Sequence, residues 1–309
     1  MGMLVQFMHP GGQPKVIDPG RKEWNAGDHC RSFMALQGSS TTDIEGTNVT
    51  SSRLGVWGEW EAPARVVPTG SSIAPNAFEP ETPVFPSRPG LQNTDPFIYD
   101  GPFLYSNCKQ VRRDGRATRL RQLDRGDVII FGSQIDGAFA LDTVFVIAHS
   151  VLFQPATGER QLSSRVPLSF LHATMRPLAG VRRPPSDDGK ATLKPCDPEE
   201  WNEEDESEAC GPPCMESRAS SFRLYCGATP ATAVEGMFSF APAKRLTRSI
   251  VPFQRPVLDL SFISAGLNQN WRLCLADVCE GWRAIATKVL GLGLELGVEF
   301  EIGKNDFEH

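Results

Sequence analysis

A strand-rich α+β fold, with a mixed sheet or barrel, flanking helices and long ordered loops, is predicted by three features of this 309-residue chain. Short apolar segments run at strand length, most plainly over residues 128–131 and 139–147. The clearest helical period lies near the carboxyl end and leads directly into another alternating segment. The 25 prolines and 28 glycines favour many turns over long helices. With 40% hydrophobic and 22% charged residues, the chain can bury a core, either as two average domains or as one large domain with insertions.

Taken in order, residues 1–55 read as irregular structure with short elements: one helix over 24–36, then the polar loop GSSTTDIEGTNVTSS. Residues 54–67, LGVWGEWEAPARVV, read as the first clear strand, with Leu54, Val56 and Trp60 on one face and Trp57, Glu59 and Glu61 on the other. Residues 68–96 are rich in proline and read as an ordered loop or a linker. A turn at Arg125–Gly126 introduces a strand over 128–131, and GSQIDG joins it as a hairpin to the strand over 139–147. In that second strand Asp142 shares a face with Ala140, Val144 and Val146, a costly place for a carboxylate without a partner or a function. Strands return at 222–227 and 236–241. Leu275, Val278, Trp282, Ile285 and Val289 then mark a structural helix, followed by the strand LELGVEFEI. The expected organisation is a core with the candidate site in 1–180, an acidic cysteine-containing loop in 181–221, and a final unit in 222–309 packed on the same core.

The amino terminus shows no basic region followed by an apolar one, and the longest apolar stretch, 285–298, is interrupted by Lys288 and Glu295. A cytoplasmic protein without a membrane partner is therefore expected. Its eight cysteines then read as thiols or metal ligands rather than a disulfide framework. A net charge of −6 argues against a general polyanion binder, although a local cluster of cations can still hold nucleic acid.

Three constellations carry the candidate chemistry. In WGEWE, Glu59 and Glu61 lie beside Trp57, an arrangement that desolvates a carboxylate for acid–base work; the alternative is a solvated strand face. Residues 91–108 hold Asn93, Asp95, Phe97, Tyr99, Asp100 and Tyr105 between turn residues. Amides and carboxylates there can read a base edge or orient a water, and the rings can stack on bases; the alternative is a turn in which Asn93 and Asp95 cap backbone groups. Residues 109–125 carry seven cations against two acids, and Lys109, Arg112, Arg113, Arg116 and Arg119 are the candidates for backbone phosphates; a solvated basic loop is the alternative. Cys196, Cys210, Cys214 and Cys226 have enough sulfur for a structural zinc, but their irregular spacing does not require one, and no cofactor is expected. His149 and His172 read as hydrogen-bonded structural residues. No nucleotide-binding glycine loop, nucleophile elbow or zinc-protease motif occurs.

The segment LRQLDRGDVIIFGS…FALDTVFVI resembles the Gly-Asp turn and following strand pair of PUA-like barrels of the EVE and ASCH kind. That resemblance implies nucleic-acid binding, with a flipped modified base held between aromatics, for which Trp57 and Trp60 are candidate walls. TDPFIYDGP is similar to the water-activating segment of uracil-DNA glycosylases: Asp95, Pro96, Phe97, Gly101 and Pro102 match in order, with Thr94 in place of Gln, no matching His, one extra residue before Gly-Pro and a different companion motif. That second similarity implies that Asp95 orients an attacking water.

Carboxylates beside a phosphate-binding track favour an enzyme that cleaves a glycosidic bond at a modified base, since acids that did no chemistry would only repel the backbone. In this reading Asp95, Glu59 and Asp142 are catalytic, and DNA with modified bases is the partner. The alternatives are a non-catalytic reader of modified bases and a protein-interaction module that docks through the acidic loop.

Overall fold

The computed structural model describes residues 2–8, 32–58, 64–68, 77–83, 95–111, 116–135, 137–175, 221–247, 252–259 and 273–301. These form a strand-rich α+β structure with two six-stranded sheets. Across the first sheet run β1 (Leu4–Met8), β7 (Val128–Ile135), β8 (Ala138–Phe153), β9 (Phe222–Gly227) and β6 (Leu104–Tyr105), with β11 (Val257–Leu258) also on β8. The sheet is mixed, because β1 is parallel to β7 while the other pairs are antiparallel.

The second sheet runs β12 (Glu295–Glu301), β10 (Ala241–Arg245), β3 (Thr50–Gly58), β2 (Ser32–Thr41), β5 (Ala77–Pro83) and β4 (Ala64–Pro68). Because β12 also pairs with β2, the strands β2, β3, β10 and β12 close a small four-stranded barrel. Closure removes the free edges that an open ribbon would expose. A ring this small also brings backbones together: a Cβ at Gly38 would collide with the Glu299 carbonyl on the neighbouring strand.

The sixteen-residue β8 is the spine of the molecule. Its hairpin with β7 buries both faces: Ile129, Phe131, Phe145 and Ile147 enter one apolar cluster, and Val128, Ile130, Val144 and Val146 enter the other. A strand pair covered on both sides needs apolar residues at every position, which explains the near-continuous runs VIIF and VFVI. At roughly 1.5–3 kcal/mol for each large side chain buried, these eight residues are a principal source of stability.

The expected helix over 24–36 is corrected in its described part, where Ser32–Thr41 is a strand. Phe33 and Ala35 join one cluster while Met34 and Leu36 join the other, which is a period of two. The single strand expected over 54–67 is two strands, ending at Gly58 and resuming at Ala64, and the proline-rich loop contains β5. The hairpin loop is shorter than GSQIDG, because β7 continues to Ile135. The strand expected over 236–241 starts later, at Ala241, and is preceded by a single bridge from Phe240 to Val144.

The helix Leu275–Gly291 places Val278, Trp282, Ile285, Ala286 and Val289 in the second cluster. Cys274 caps it: its sulfur accepts from the Asp277 N–H while the Asp277 carboxylate accepts from the Cys274 N–H. The described residues of 222–301 complete both sheets and share their clusters with the preceding strands. Among the described residues, no helix is long and apolar enough to cross a membrane.

Candidate nucleic-acid interface

Asp95 is the hub of a turn. Its Oδ1 accepts the Ser106 N–H at 2.8 Å and the Ser106 hydroxyl at 3.0 Å. Its Oδ2 accepts the Asn107 and Cys108 N–H groups, each at 2.8 Å. The side chain is buried, and burial pushes its carboxyl upward in pKa against the pull of these four donors. Both oxygens are fully used as acceptors, so a water activated by Asp95 would have to displace a backbone donor. The turn is pinned from outside by Gln110, whose amide donates to the Ser106 and Arg223 carbonyls and accepts the Arg223 N–H.

Asp142 is the extra residue of a β-bulge. Phe131 pairs with Thr143 and Gly132 with Leu141, so Asp142 is the inserted position of β8 between two successive pairs. On the other edge of β8, Val257 pairs with Ala140, so continuation of that register sets Arg255 against Asp142. The two form a buried ion pair. Asp95 and Asp142 are thus held by different elements, one by residues 106–108 and the other by Arg255.

The described aromatic candidates, Trp57, Phe97, Tyr99 and Tyr105, are core residues. Trp57 is buried against Phe33 and Phe253, and its indole N–H donates to the Phe253 carbonyl at 2.6 Å. Phe97, Tyr99 and Tyr105 have no exposed surface. The Tyr99 hydroxyl meets the Met34 sulfur, and the Tyr105 hydroxyl donates to the Cys108 carbonyl. The Tyr105 ring stacks on Tyr225 with centroids 5.7 Å apart. These rings are packed inside the protein and are closed to a base. Asp100 is half-buried with φ 55°, and its N–H donates to the Phe300 carbonyl.

Glu59, Trp60, Glu61, Asn93, Arg112 and Arg113 lie outside the described residues, as do Cys196, Cys210, Cys214 and the side chain of His172. Cys226 is buried in β9, and burial pushes its thiol up to about 11. Among the described residues, no group of three or more His, Cys, Asp or Glu side chains could hold a metal ion.

Among the described candidates, the basic segment faces solvent. Residues Arg119–Gln122 form one 3-10 turn with Leu120 buried beneath it. The Tyr225 hydroxyl donates to the Leu120 carbonyl at 2.7 Å, and the Arg121 guanidinium donates to the Ser221 hydroxyl at 2.5 Å. The turn is therefore fastened at two points, to β9 and to the residue before it. Arg116 and Arg125 are exposed, and Arg119 and Arg121 are half-buried. Asp127 is turned inward, where its carboxylate accepts the Met3 and Asp124 N–H groups at 2.7 and 2.8 Å. Lys109 points elsewhere, its ammonium donating to the Met8 carbonyl and lying 5.2 Å from the centre of the Phe7 ring.

Sequence reasoning missed Arg223 and Arg255. Each is a single arginine in an otherwise apolar stretch, and no local spacing marks its partner. A separate groove of about 400 Å³ is lined by Ser39, Val49, Gly101, Thr229, Val298 and Glu299, among others. Neither Asp95 nor Asp142 lines it. Comparison with protein-family models, curated proteins and solved structures gave no match.

Proposed function

We propose that this protein binds nucleic acid through its arginine-bearing face and does not cut it. The carrying observation is that Arg116, Arg119, Arg121 and Arg125 lie on a segment fastened to β9 while the neighbouring Asp127 is turned into the core. Cations on a fixed scaffold lose little freedom on meeting phosphates, and they attract the backbone at any sequence. A reader of modified bases related to PUA-like barrels is the finer form of this proposal. It is supported by the Gly126–Asp127 turn leading into β7 and by the hairpin that follows.

Cleavage of a glycosidic bond is the competing proposal, and it needs Asp95, Glu59 or Asp142 available to stabilise charge or activate water. Incubation of modified-base duplexes with the protein, followed by alkaline cleavage, separates the two. The binding reading expects a retained duplex and no abasic sites. Abasic sites that disappear with Asp95→Asn, in a variant as stable as the wild type, would overturn it.

A further inference from the structure

We infer that Arg121 and Arg223 form a two-guanidinium strip for a phosphodiester backbone, with Arg223 a binding residue that the basic segment itself does not contain. This inference rests on the nucleic-acid reading and names the side chains that make the contact. Ser221, just ahead of β9, and Arg223 and Tyr225 within it alternate along the chain and so share one face. Arg121 reaches that face from the 3-10 turn and donates to the Ser221 hydroxyl at 2.5 Å. Arg223 donates from Nη1 to the hydroxyl of Ser150, 3.1 Å away on β8. Ser150 lies opposite Tyr225, so the two guanidinium anchors stand at levels four residues apart, roughly 13 Å along the strand.

Both arginines are held by hydroxyls. Among the described residues, no carboxylate lies within ion-pair distance of either one. The Nε of Arg223 is also buried with no hydrogen-bond partner, an arrangement that costs stability and serves no structural pairing. Hydroxyl anchors orient a guanidinium without neutralising it, leaving its N–H groups other than the buried Arg223 Nε for phosphate oxygens. Leu152, directly across from Arg223 on β8 and 56% exposed, supplies apolar surface beside the strip for a sugar or base. Two fixed charges at this separation suit a chain of repeating phosphates better than one small anion. A nucleic-acid strand and an inorganic polyphosphate both have that chemistry.

The test uses the full chain and the double variant Arg121→Gln/Arg223→Gln. Binding of a fluorescein-labelled 20-mer duplex is measured by anisotropy between 50 and 200 mM salt, and thermal melting is measured with and without long-chain polyphosphate. The strip predicts affinity roughly tenfold weaker in the variant and a log K against log salt slope shallower by about 1.8, the value for two phosphates. If the double variant fails to fold, Arg121→Gln alone is expected to lower the slope by about 0.9. Charge-retaining Arg121→Lys/Arg223→Lys should keep most of the wild-type slope. If the wild type binds no oligonucleotide yet long-chain polyphosphate raises its melting temperature, and the glutamine variant loses that rise, the strip stands and the nucleic-acid reading falls. Equal slopes and equal polyphosphate response in wild type and variant overturn the strip.

Discussion

Replacing Asp95 with alanine removes the common acceptor of three backbone N–H groups and one hydroxyl. The Ser106 and Cys108 donors are buried, and the Asn107 donor is half-buried, so water can replace the carboxylate only in part. Each buried donor left without a partner costs about 1–3 kcal/mol, which puts the alanine variant about 3–5 kcal/mol below wild type. That is a large share of a total of about 5–15 kcal/mol. Asp95→Asn keeps one oxygen for two donors but turns an amide NH₂ toward the others, and about 2–3 kcal/mol is expected. Urea unfolding followed by circular dichroism reads both values as shifts in midpoint at constant slope. An Asp95→Asn variant as stable as wild type would refute the reasoning, because it would mean that the carboxylate is not needed by the turn and is available for chemistry.

Asp142→Leu should cost about 3–5 kcal/mol by stranding Arg255 in the core, and adding Arg255→Met should restore much of it; chemical denaturation of the single and double variants measures the coupling. Cys226, whose thiol burial pushes up to about 11, should stay unlabelled by iodoacetamide at pH 8 in the native protein while exposed Cys274 reacts. Peptide mapping checks this, and native labelling of Cys226 would contradict the packing of β9. Burial opposes ionisation of Asp43, but hydrogen bonds from the Thr47 and Asn48 N–H groups and the Thr41 hydroxyl hold its carboxyl below the usual carboxylate range. Its contribution to stability is therefore present above the unfolded-state value and lost as pH falls through the lower folded value. The stability gap between wild type and Asp43→Asn should shrink below about pH 4 in acid-titrated melts and stay constant above it.

The β7–β8 hairpin, β9, the carboxyl-terminal helix and β12 were legible because their apolar periods are strong and local. The segment at 24–36 misled because Phe33, Met34, Ala35 and Leu36 are consecutive apolar residues, a run that periodicity alone cannot assign. Asp95 could be read as a backbone cap, since Asp before a turn does this often; which of its two readings applied depended on Ser106–Cys108 folding back onto it. The Asp142–Arg255 pair could not be read, because 113 positions separate its members and the bulge that presents Asp142 is a property of register. Trp57 shows the same limit from the apolar side. Trp57 in WGEWE looks like a binding wall until Phe253, far along the chain, takes its indole N–H.

Binding of a labelled duplex to the wild-type protein across a salt series tests the central claim most directly. A log–log line falling with a slope of about −0.9 for each phosphate engaged, with at least two engaged, is the expected result. No binding at 50 mM salt, or binding that ignores salt, would contradict a role for the arginine-bearing face in holding nucleic acid.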